Sequence, residues 1–113
     1  DRTTIRDYIH ILDLANIHLL ALIYLLKKKK SEILNCGYGK GFSVLEIVKN
    51  TNRLLKKPIK IKFGPRRTGD VNKVVANCNR IKKIFKWKPK YNNIKLILNS
   101  ALKWEKKLKK NKF

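Results

Sequence analysis

A chain of 113 residues is long enough for one small domain or for one part of a larger one. Apolar residues make up 43% of the sequence, so its composition excludes a disordered tail. The formal net charge of +22 first suggests a polyanionic partner such as nucleic acid. However, lysines follow nearly every predicted element instead of forming one patch. No stretch alternates basic with aromatic residues as a single-strand-binding groove does.

The lysine excess has a simpler source than selection for a polyanion. Lys, Ile and Asn together make up 47 of the 113 residues, and all three have codons rich in A and T. We therefore interpret the charge as a consequence of biased genome composition. A free-standing basic nucleic-acid-binding module remains the weaker alternative, and a nucleic-acid partner is not expected.

Two cysteines and one apolar segment bear on the cell compartment. Cys36 and Cys78 form no C-x-x-C pair, so the sequence predicts neither a zinc site nor a redox motif. We expect reduced thiols in a cytoplasmic protein. Polar residues at positions 10, 13, 16 and 18 interrupt the apolar stretch 9–26 and leave an unbroken run of eight residues. A bilayer core needs roughly 20, so no membrane association is expected.

The first third of the chain is predicted to alternate strands with a helix. A short strand is predicted at residues 8–12, and Asp13 is predicted to cap a helix that runs to about Lys28. This helix is apolar on nearly all sides, which predicts neighbours on more than one face. Residues 32–36 are predicted to form a second strand.

The middle of the chain contains the clearest local signal. Ser43-x-x-Glu46 is a capping box, which predicts a helix from there to about Leu55. Residues 59–63 alternate apolar and basic side chains, as a half-buried strand does. Residues 64–70 are predicted to form a loop.

The last third is predicted to be mostly helical. An extended piece at residues 71–76 leads to Asn77, which can cap a helix over residues 78–85. Asn92 or Asn93 then opens a final helix that runs to about Lys109. This order of strands and helices is an α/β pattern without an obvious complete sheet.

Two patterns that suggest chemistry are better explained by structure. The G-x-G-x-G pattern at residues 37–41 lacks the third glycine of a dinucleotide fingerprint, since the next residue is Phe42. A tight turn is predicted there, although its backbone amides can still face a ligand. Nothing makes His10 and His18 converge on a metal, so both are predicted to be structural. No residue pair qualifies as a catalytic acid and base.

The strongest binding signal is the segment Arg66-Arg67-Thr68-Gly69-Asp70. A guanidinium matches a phosphate or diphosphate bidentately, which a lysine cannot do. Because only six of the 29 basic residues are arginines, two adjacent ones favour a required geometry. A charged surface turn with an internal Arg–Asp pair is the other interpretation of these residues. Both interpretations also apply to Arg6-Asp7.

Four segments, taken together, carry a family resemblance. They are Arg6-Asp7-Tyr8-Ile9-His10, which closes with Asp13-Leu14-Ala15; Asn35-Cys36-Gly37-Tyr38-Gly39-Lys40-Gly41-Phe42-Ser43-Val44; Pro65-Arg66-Arg67-Thr68-Gly69-Asp70; and Trp87-Lys88-Pro89. Their order and spacing resemble the carboxy-terminal third of UDP-glucose 4-epimerases, which are extended short-chain dehydrogenases/reductases. Related sugar-nucleotide dehydratases and decarboxylases share the outline, but the R-D-Y-I-H phrase favours the 4-epimerases.

The resemblance implies the fold and the division of labour. It implies an α/β fold in which residues 1–113 are the carboxy-terminal substrate-binding region of a Rossmann-type enzyme, without the complete NAD-binding sheet. The amino-terminal NAD-binding domain and the catalytic Tyr-x-x-x-Lys pair would lie upstream, so the chain alone would be inactive. The whole enzyme would interconvert UDP-glucose and UDP-galactose through NAD and a 4-keto intermediate. Such enzymes commonly form homodimers through helices outside this region.

The resemblance also implies which residues contact the UDP-sugar substrate. Arg6 and Arg67 would hold the diphosphate, Asp70 would face the ribose, and Val44 would line the uracil end. No catalytic, NAD-binding or metal-ligating residue is expected within the chain.

Several residues depart from the family pattern. Arg2 and Lys86 stand where a glycine is usual, and Cys36 replaces an aliphatic residue. Asn77 replaces a common aspartate, and Val74 replaces a tyrosine that some members place near the substrate. These departures are compatible with the fold, but they bear on the choice of sugar.

Overall fold

The structure, a computed structural model, describes residues 1–111 of the chain. This part contains three two-residue strands and four helices. In chain order the elements are β1 (Ile5–Arg6), α1 (Ile11–Lys28), β2 (Phe42–Ser43), α2 (Val44–Leu55), β3 (Lys73–Val74), α3 (Asn79–Phe85) and α4 (Ile94–Lys110). The predicted α/β class is confirmed.

β1 is the central strand of the small sheet. It runs antiparallel to β2 and parallel to β3, and Arg6 lies opposite Phe42 on one side and Val74 on the other. The backbone N–H of Ile5 also donates to the carbonyl of Asn72 at 2.8 Å. Neighbours on both sides therefore fix the backbone of Arg6.

α1 begins after a histidine cap and not at the predicted Asp13 cap. Nδ1 of His10 accepts the backbone N–H of the second helical residue at 3.0 Å. The strand predicted at residues 8–12 is therefore wrong, because this cap turns the chain into a helix at residue 11. The His10 ring is buried and stacks on Tyr91 with 4.8 Å between ring centroids. His10 is structural, as predicted.

Asp13 lies buried in the first turn of α1, where its carboxylate joins distant segments. It accepts the Tyr38 hydroxyl at 2.6 Å and the backbone N–H groups of Lys90 and Tyr91 at 3.1 and 3.0 Å. Burial acts to raise the pKa of Asp13, but these hydrogen bonds outweigh it and the pKa is lowered. Burial and the hydrogen bond to Asp13 raise the pKa of Tyr38 to about 12.

The buried core is small and lies where α1 meets α3. Its apolar members among the described residues are Ile17, Tyr38, Cys78, Ile81 and Trp87. α2 contacts α4, and Ile97 of α4 packs against the core. The radius of gyration is 17.0 Å, whereas a compact domain of about 100 residues has roughly 13 Å. The chain is more extended than a self-contained domain of its size.

One face of α1 is apolar and exposed. Seven of its side chains are between 40% and 70% exposed: Ile11, Leu12, Leu19, Leu22, Ile23, Leu25 and Leu26. The opposite face contacts α3 and carries the buried Ile17. An exposed apolar face of this kind is typical of a surface that another domain or another protein covers. Among the described residues, no helix is both long and apolar enough to cross a membrane.

Two other predicted strands are wrong, while the extended piece after them is partly confirmed. Residues 32–36 and 59–63 belong to no strand, and Ile61 and Phe63 are 47% and 71% exposed. Alternating side chains alone do not make a strand, because its backbone needs a partner strand. Within residues 71–76 only β3 is paired, through β1.

The predicted helix starts fare better. The capping box is complete: Ser43 Oγ accepts the N–H of Glu46 at 3.1 Å, and the Glu46 carboxylate accepts the N–H of Ser43 at 2.7 Å. Of the two candidate asparagines, Asn93 caps α4. Asn77 accepts the N–H of Asn79 at 3.1 Å, but it does not cap α3, which begins after Cys78 without a side-chain cap. Side-chain caps therefore set the starts of α2 and α4 as predicted, but not that of α3.

Three helices end at a lysine with left-handed backbone. Lys29, Lys56 and Lys86 have φ values of 52°, 54° and 50°, and Arg2 has a φ of 64°. This conformation costs a residue with a side chain roughly 1–2 kcal/mol, and glycine is the usual residue there. At Lys86 and Arg2 the backbone thus retains the geometry of the glycine that the resemblance leads one to expect.

We expect Lys86→Gly to raise the free energy of unfolding by about 0.5–1 kcal/mol, because it relieves the left-handed strain at the end of α3. Urea unfolding measures the change. Lys88→Gly is the matched control, since Lys88 is exposed but does not have a positive φ, and it should be destabilising. Equal losses in the two variants would contradict this account of the helix end.

We expect Asp13→Asn to lower the free energy of unfolding by about 2 kcal/mol near pH 7, because the amide cannot accept all three hydrogen bonds. The folded-state pKa of Asp13 is lowered from 3.8. Its stabilisation is therefore present above that value and is lost as the pH falls through the folded-state pKa. The difference in the free energy of unfolding between wild type and Asp13→Asn should therefore decrease on acidification, as measured by urea unfolding. A difference that does not change with pH would contradict the assignment.

Candidate functional site

Two arginines converge on one carboxylate beside the end of β1. Nη2 of Arg6 lies 2.8 Å from Oδ1 of Asp70, and Nη2 of Arg67 lies 3.6 Å from Oδ2. The turn is closed by the backbone N–H of Asp70, which donates to the carbonyl of Arg67 at 3.2 Å. The structure therefore brings three of the four predicted site residues together.

The two arginines are held to different degrees. Nη1 of Arg6 donates to the carbonyls of Ile5 and Val71 at 2.8 and 2.9 Å, and the side chain is 33% exposed. The Arg67 side chain is 88% exposed and contacts Asp70 at the longer distance. Arg6 is thus a fixed cation, whereas Arg67 is an exposed cation whose guanidinium contacts Asp70.

Val44, the fourth predicted residue, lies across β1 from this cluster. It is the first residue of α2, and its backbone N–H donates to the carbonyl of Thr4 at 3.1 Å. Its side chain is exposed. β2, which precedes Val44, pairs with one edge of β1, whereas β3 pairs with the other edge and follows Asp70. Val44 therefore offers an exposed apolar side chain near Thr4 and is not part of the charged cluster.

Arg66 has different partners from Arg67. Its guanidinium donates to Oδ1 of Asn72 and, at 3.4 Å, to the carbonyl of Arg2. The sequence presents the two arginines as equivalent. The turn that ends at Asp70 separates their roles.

Asp7 organises the site, although it is not among the predicted site residues. Its carboxylate accepts the backbone N–H of Tyr38 at 3.0 Å, of Gly39 at 2.9 Å and of Ala76 at 3.3 Å. The amides of Tyr38 and Gly39 in the glycine loop are therefore engaged by Asp7 and are not offered to a ligand. The one sequence signal for Asp7 is its position directly after Arg6.

A groove of about 470 Å³ adjoins Arg6 and Asp7. Its other lining residues are Asn35, Cys36, Val74, Val75, Ala76 and Asn77. Arg6 is the member of the arginine cluster that lines this groove, whose amide and apolar groups suit part of an organic ligand.

The cysteines are free thiols, as predicted. Cys36 is exposed, whereas Cys78 is buried and donates to the carbonyl of Gly37 at 3.0 Å. Burial raises the pKa of both thiols. Within residues 1–111, no three histidine, cysteine or acidic side chains are grouped so as to hold a metal ion.

Relatives with known names match almost the whole chain. No protein-family model matches it. The UDP-glucose 4-epimerase of Azospirillum brasilense is 41% identical over 111 residues, which are 98% of this chain and 32% of that protein. The crystal structure of UDP-glucose 4-epimerase from Stenotrophomonas maltophila, with bound NAD and formylated UDP-arabinopyranose, matches with a TM-score of 0.89 and 30% identity over 96% of this chain and 32% of that one.

A second solved structure agrees. UDP-glucose 4-epimerase from Bifidobacterium longum, in complex with NAD⁺ and UDP, has a TM-score of 0.81 and 32% identity over 93% of this chain and 31% of that one. The fold is therefore that of the carboxy-terminal part of an extended short-chain dehydrogenase/reductase. Within that class the chain is a homologue of UDP-glucose 4-epimerases, and it spans about a third of the length of the curated relatives it matches.

We expect Gly37→Ala to destabilise the protein by about 1–3 kcal/mol. A Cβ atom there would lie 2.6 Å from Oδ2 of Asp7 and 2.7 Å from the Cβ of Ala76, so it would push the Asp7 carboxylate away from its donors. Thermal unfolding measures the loss. Gly64→Ala is the matched control, because nothing lies within 4 Å of its added Cβ. Equal stability of the two variants would contradict the role given to Asp7.

Proposed function

We propose that this chain is the UDP-sugar-binding part of a UDP-glucose 4-epimerase. The observation that carries the proposal is the convergence of Arg6 and Arg67 on Asp70 beside a groove. Two guanidiniums with one carboxylate leave a net positive charge, and their forks match the oxygens of a diphosphate. The relatives that match this chain bear the names of enzymes acting on UDP-sugars.

Each of the four site residues has a proposed role in holding UDP. Arg6 and Arg67 bind the diphosphate, Asp70 accepts hydrogen bonds from the ribose hydroxyls, and Val44 packs against the uracil end. The positions of the charged residues support the diphosphate role of the two arginines, since both guanidiniums contact the same carboxylate. Hydrogen bonds to charged groups contribute about 1.5–3 kcal/mol each, so the diphosphate anchors would dominate affinity.

We assign NAD binding and catalysis to a separate amino-terminal domain, and residues 1–113 to the substrate-binding region. Asp7 engages two amides of the glycine loop, those of Tyr38 and Gly39, which supports placing the dinucleotide site elsewhere. In the whole enzyme NAD would accept and return the hydride that interconverts UDP-glucose and UDP-galactose, a reaction of galactose metabolism. The exposed apolar face of α1 supports this division, because a neighbouring domain would bury it. On this proposal the chain is inactive alone.

We also propose two properties of the whole protein. The free cysteines favour a cytoplasmic location. A homodimer is expected from the resemblance, through helices outside residues 1–113. Sedimentation of the full-length protein tests the second property.

Arg67→Ala should weaken UDP binding by the full-length protein at least ~10-fold, because it removes a charged hydrogen-bond donor to the diphosphate. Isothermal titration calorimetry with UDP measures the change. Arg66→Ala is the matched control: it removes the same side chain from the adjacent position, where the partners are Asn72 and Arg2. An unchanged affinity in Arg67→Ala, or an equal loss in both variants, would overturn the assignment.

Two other functions predict different results. A nucleic-acid-binding module, favoured by the charge of +22, would bind generic DNA or RNA with a steep salt dependence and no preference for UDP. A related dehydratase or decarboxylase would bind UDP-sugars, but its product would have lost water or carbon dioxide. Mass analysis of the product separates these enzymes from an epimerase, which conserves the composition of the substrate.

A further inference from the structure

We infer that Asp70 is a positioning residue, which holds the Arg67 guanidinium beside Arg6 so that the two cations meet a diphosphate together. This role is additional to the ribose contact proposed above, and it rests on the proposed function of the site as a UDP site. It predicts that Asp70 affects the binding of a ligand that has no ribose.

The Asp70 carboxylate is itself fixed. Oδ1 of Asp70 lies 2.8 Å from Nη2 of Arg6, and the Asp70 side chain is only 20% exposed. Arg6 is in turn held by the carbonyls of Ile5 and Val71, which belong to or adjoin the sheet. The second carboxylate oxygen therefore has a defined place relative to β1.

Arg67 depends on the Asp70 carboxylate for its orientation. Its side chain is 88% exposed, and its guanidinium lies 3.6 Å from Oδ2 of Asp70. Two guanidiniums brought close together repel each other, and the shared carboxylate offsets that repulsion. Ordering a long side chain on binding lowers affinity by roughly 2- to 12-fold. A carboxylate that orders Arg67 beforehand avoids part of that loss.

The sign of the change in diphosphate affinity on removal of Asp70 distinguishes a positioning role from a simple charge effect. If Asp70 acted only as a negative charge near the ligand, its removal would tighten diphosphate binding, because a like charge is lost. If Asp70 positions Arg67, its removal weakens diphosphate binding in spite of that gain. The two possibilities therefore predict opposite changes for a diphosphate without a ribose.

The experiment is a double-mutant cycle on the full-length protein. The proteins are wild type, Arg67→Ala, Asp70→Ala and the double variant, titrated calorimetrically with inorganic pyrophosphate and with UDP at about 0.15 M salt, where long-range charge effects are screened. We expect Asp70→Ala to weaken pyrophosphate binding roughly 3- to 10-fold in the wild-type background. In the Arg67→Ala background it should have no weakening effect. Asp70→Ala should weaken UDP binding at least as much as it weakens pyrophosphate binding.

Two further variants guard this result. Glu105→Ala makes the same change in net charge at an exposed position of α4 and should not weaken pyrophosphate binding. Asp70→Asn serves if Asp70→Ala does not fold, as judged by circular dichroism. Its amide retains an oxygen for Arg6 but gives Arg67 no charge, so a loss in the same direction is expected.

The outcomes distinguish this inference from the proposed function. Weaker UDP binding with unchanged or tighter pyrophosphate binding would limit Asp70 to the ribose and overturn the positioning role. An equal loss in the presence and absence of Arg67 would also overturn it. If Asp70→Ala weakens pyrophosphate binding only when Arg67 is present, the positioning role stands. If the wild type then does not prefer UDP to other nucleoside diphosphates, the proposed function alone fails.

Discussion

The Asp7 carboxylate ties together the stretches of chain that surround Arg6. It accepts backbone N–H groups from Tyr38 and Gly39, which precede β2, and from Ala76, which follows β3. Strands of two residues supply few ladder hydrogen bonds, so these side-chain bonds add much of what holds the sheet in register. Because Asp7 directly follows Arg6, the hydrogen bonds that Asp7 accepts also fix the position of Arg6.

Much of the helical structure was predictable from sequence, whereas three strands were predicted wrongly. A cap is a local device: Ser43 and Asn93 lie next to the N–H groups they satisfy. A strand needs a partner, and neither residues 32–36 nor residues 59–63 have one among the described residues. The strand predicted at residues 8–12 failed because His10, and not Asp13, caps α1. Either side chain can cap a helix, and the distant partners of Asp13 decide between them.

The candidate site was predictable in composition but not in arrangement. Two adjacent arginines before a glycine and an aspartate indicated an anion site, yet only the turn shows that Arg67 contacts Asp70 while Arg66 contacts Asn72. The positive φ of Gly69, 81°, lies within that turn. Asp7 gave almost no signal, because its partners are backbone N–H groups that no side-chain pattern reveals. The charge of +22 comes mainly from lysines, whereas the cluster is formed by arginines.

The central claim is that UDP binds at the arginine cluster, and the most direct test is a titration of the ¹⁵N-labelled protein with UDP, followed by the backbone amide resonances. The account predicts saturable shifts confined to residues around Arg6, to the turn that ends at Asp70 and to the start of α2 at Val44. Uridine, which lacks the diphosphate, should cause much weaker shifts. Saturable shifts centred on the lysines of α4, or no saturable shifts at the cluster, would contradict it.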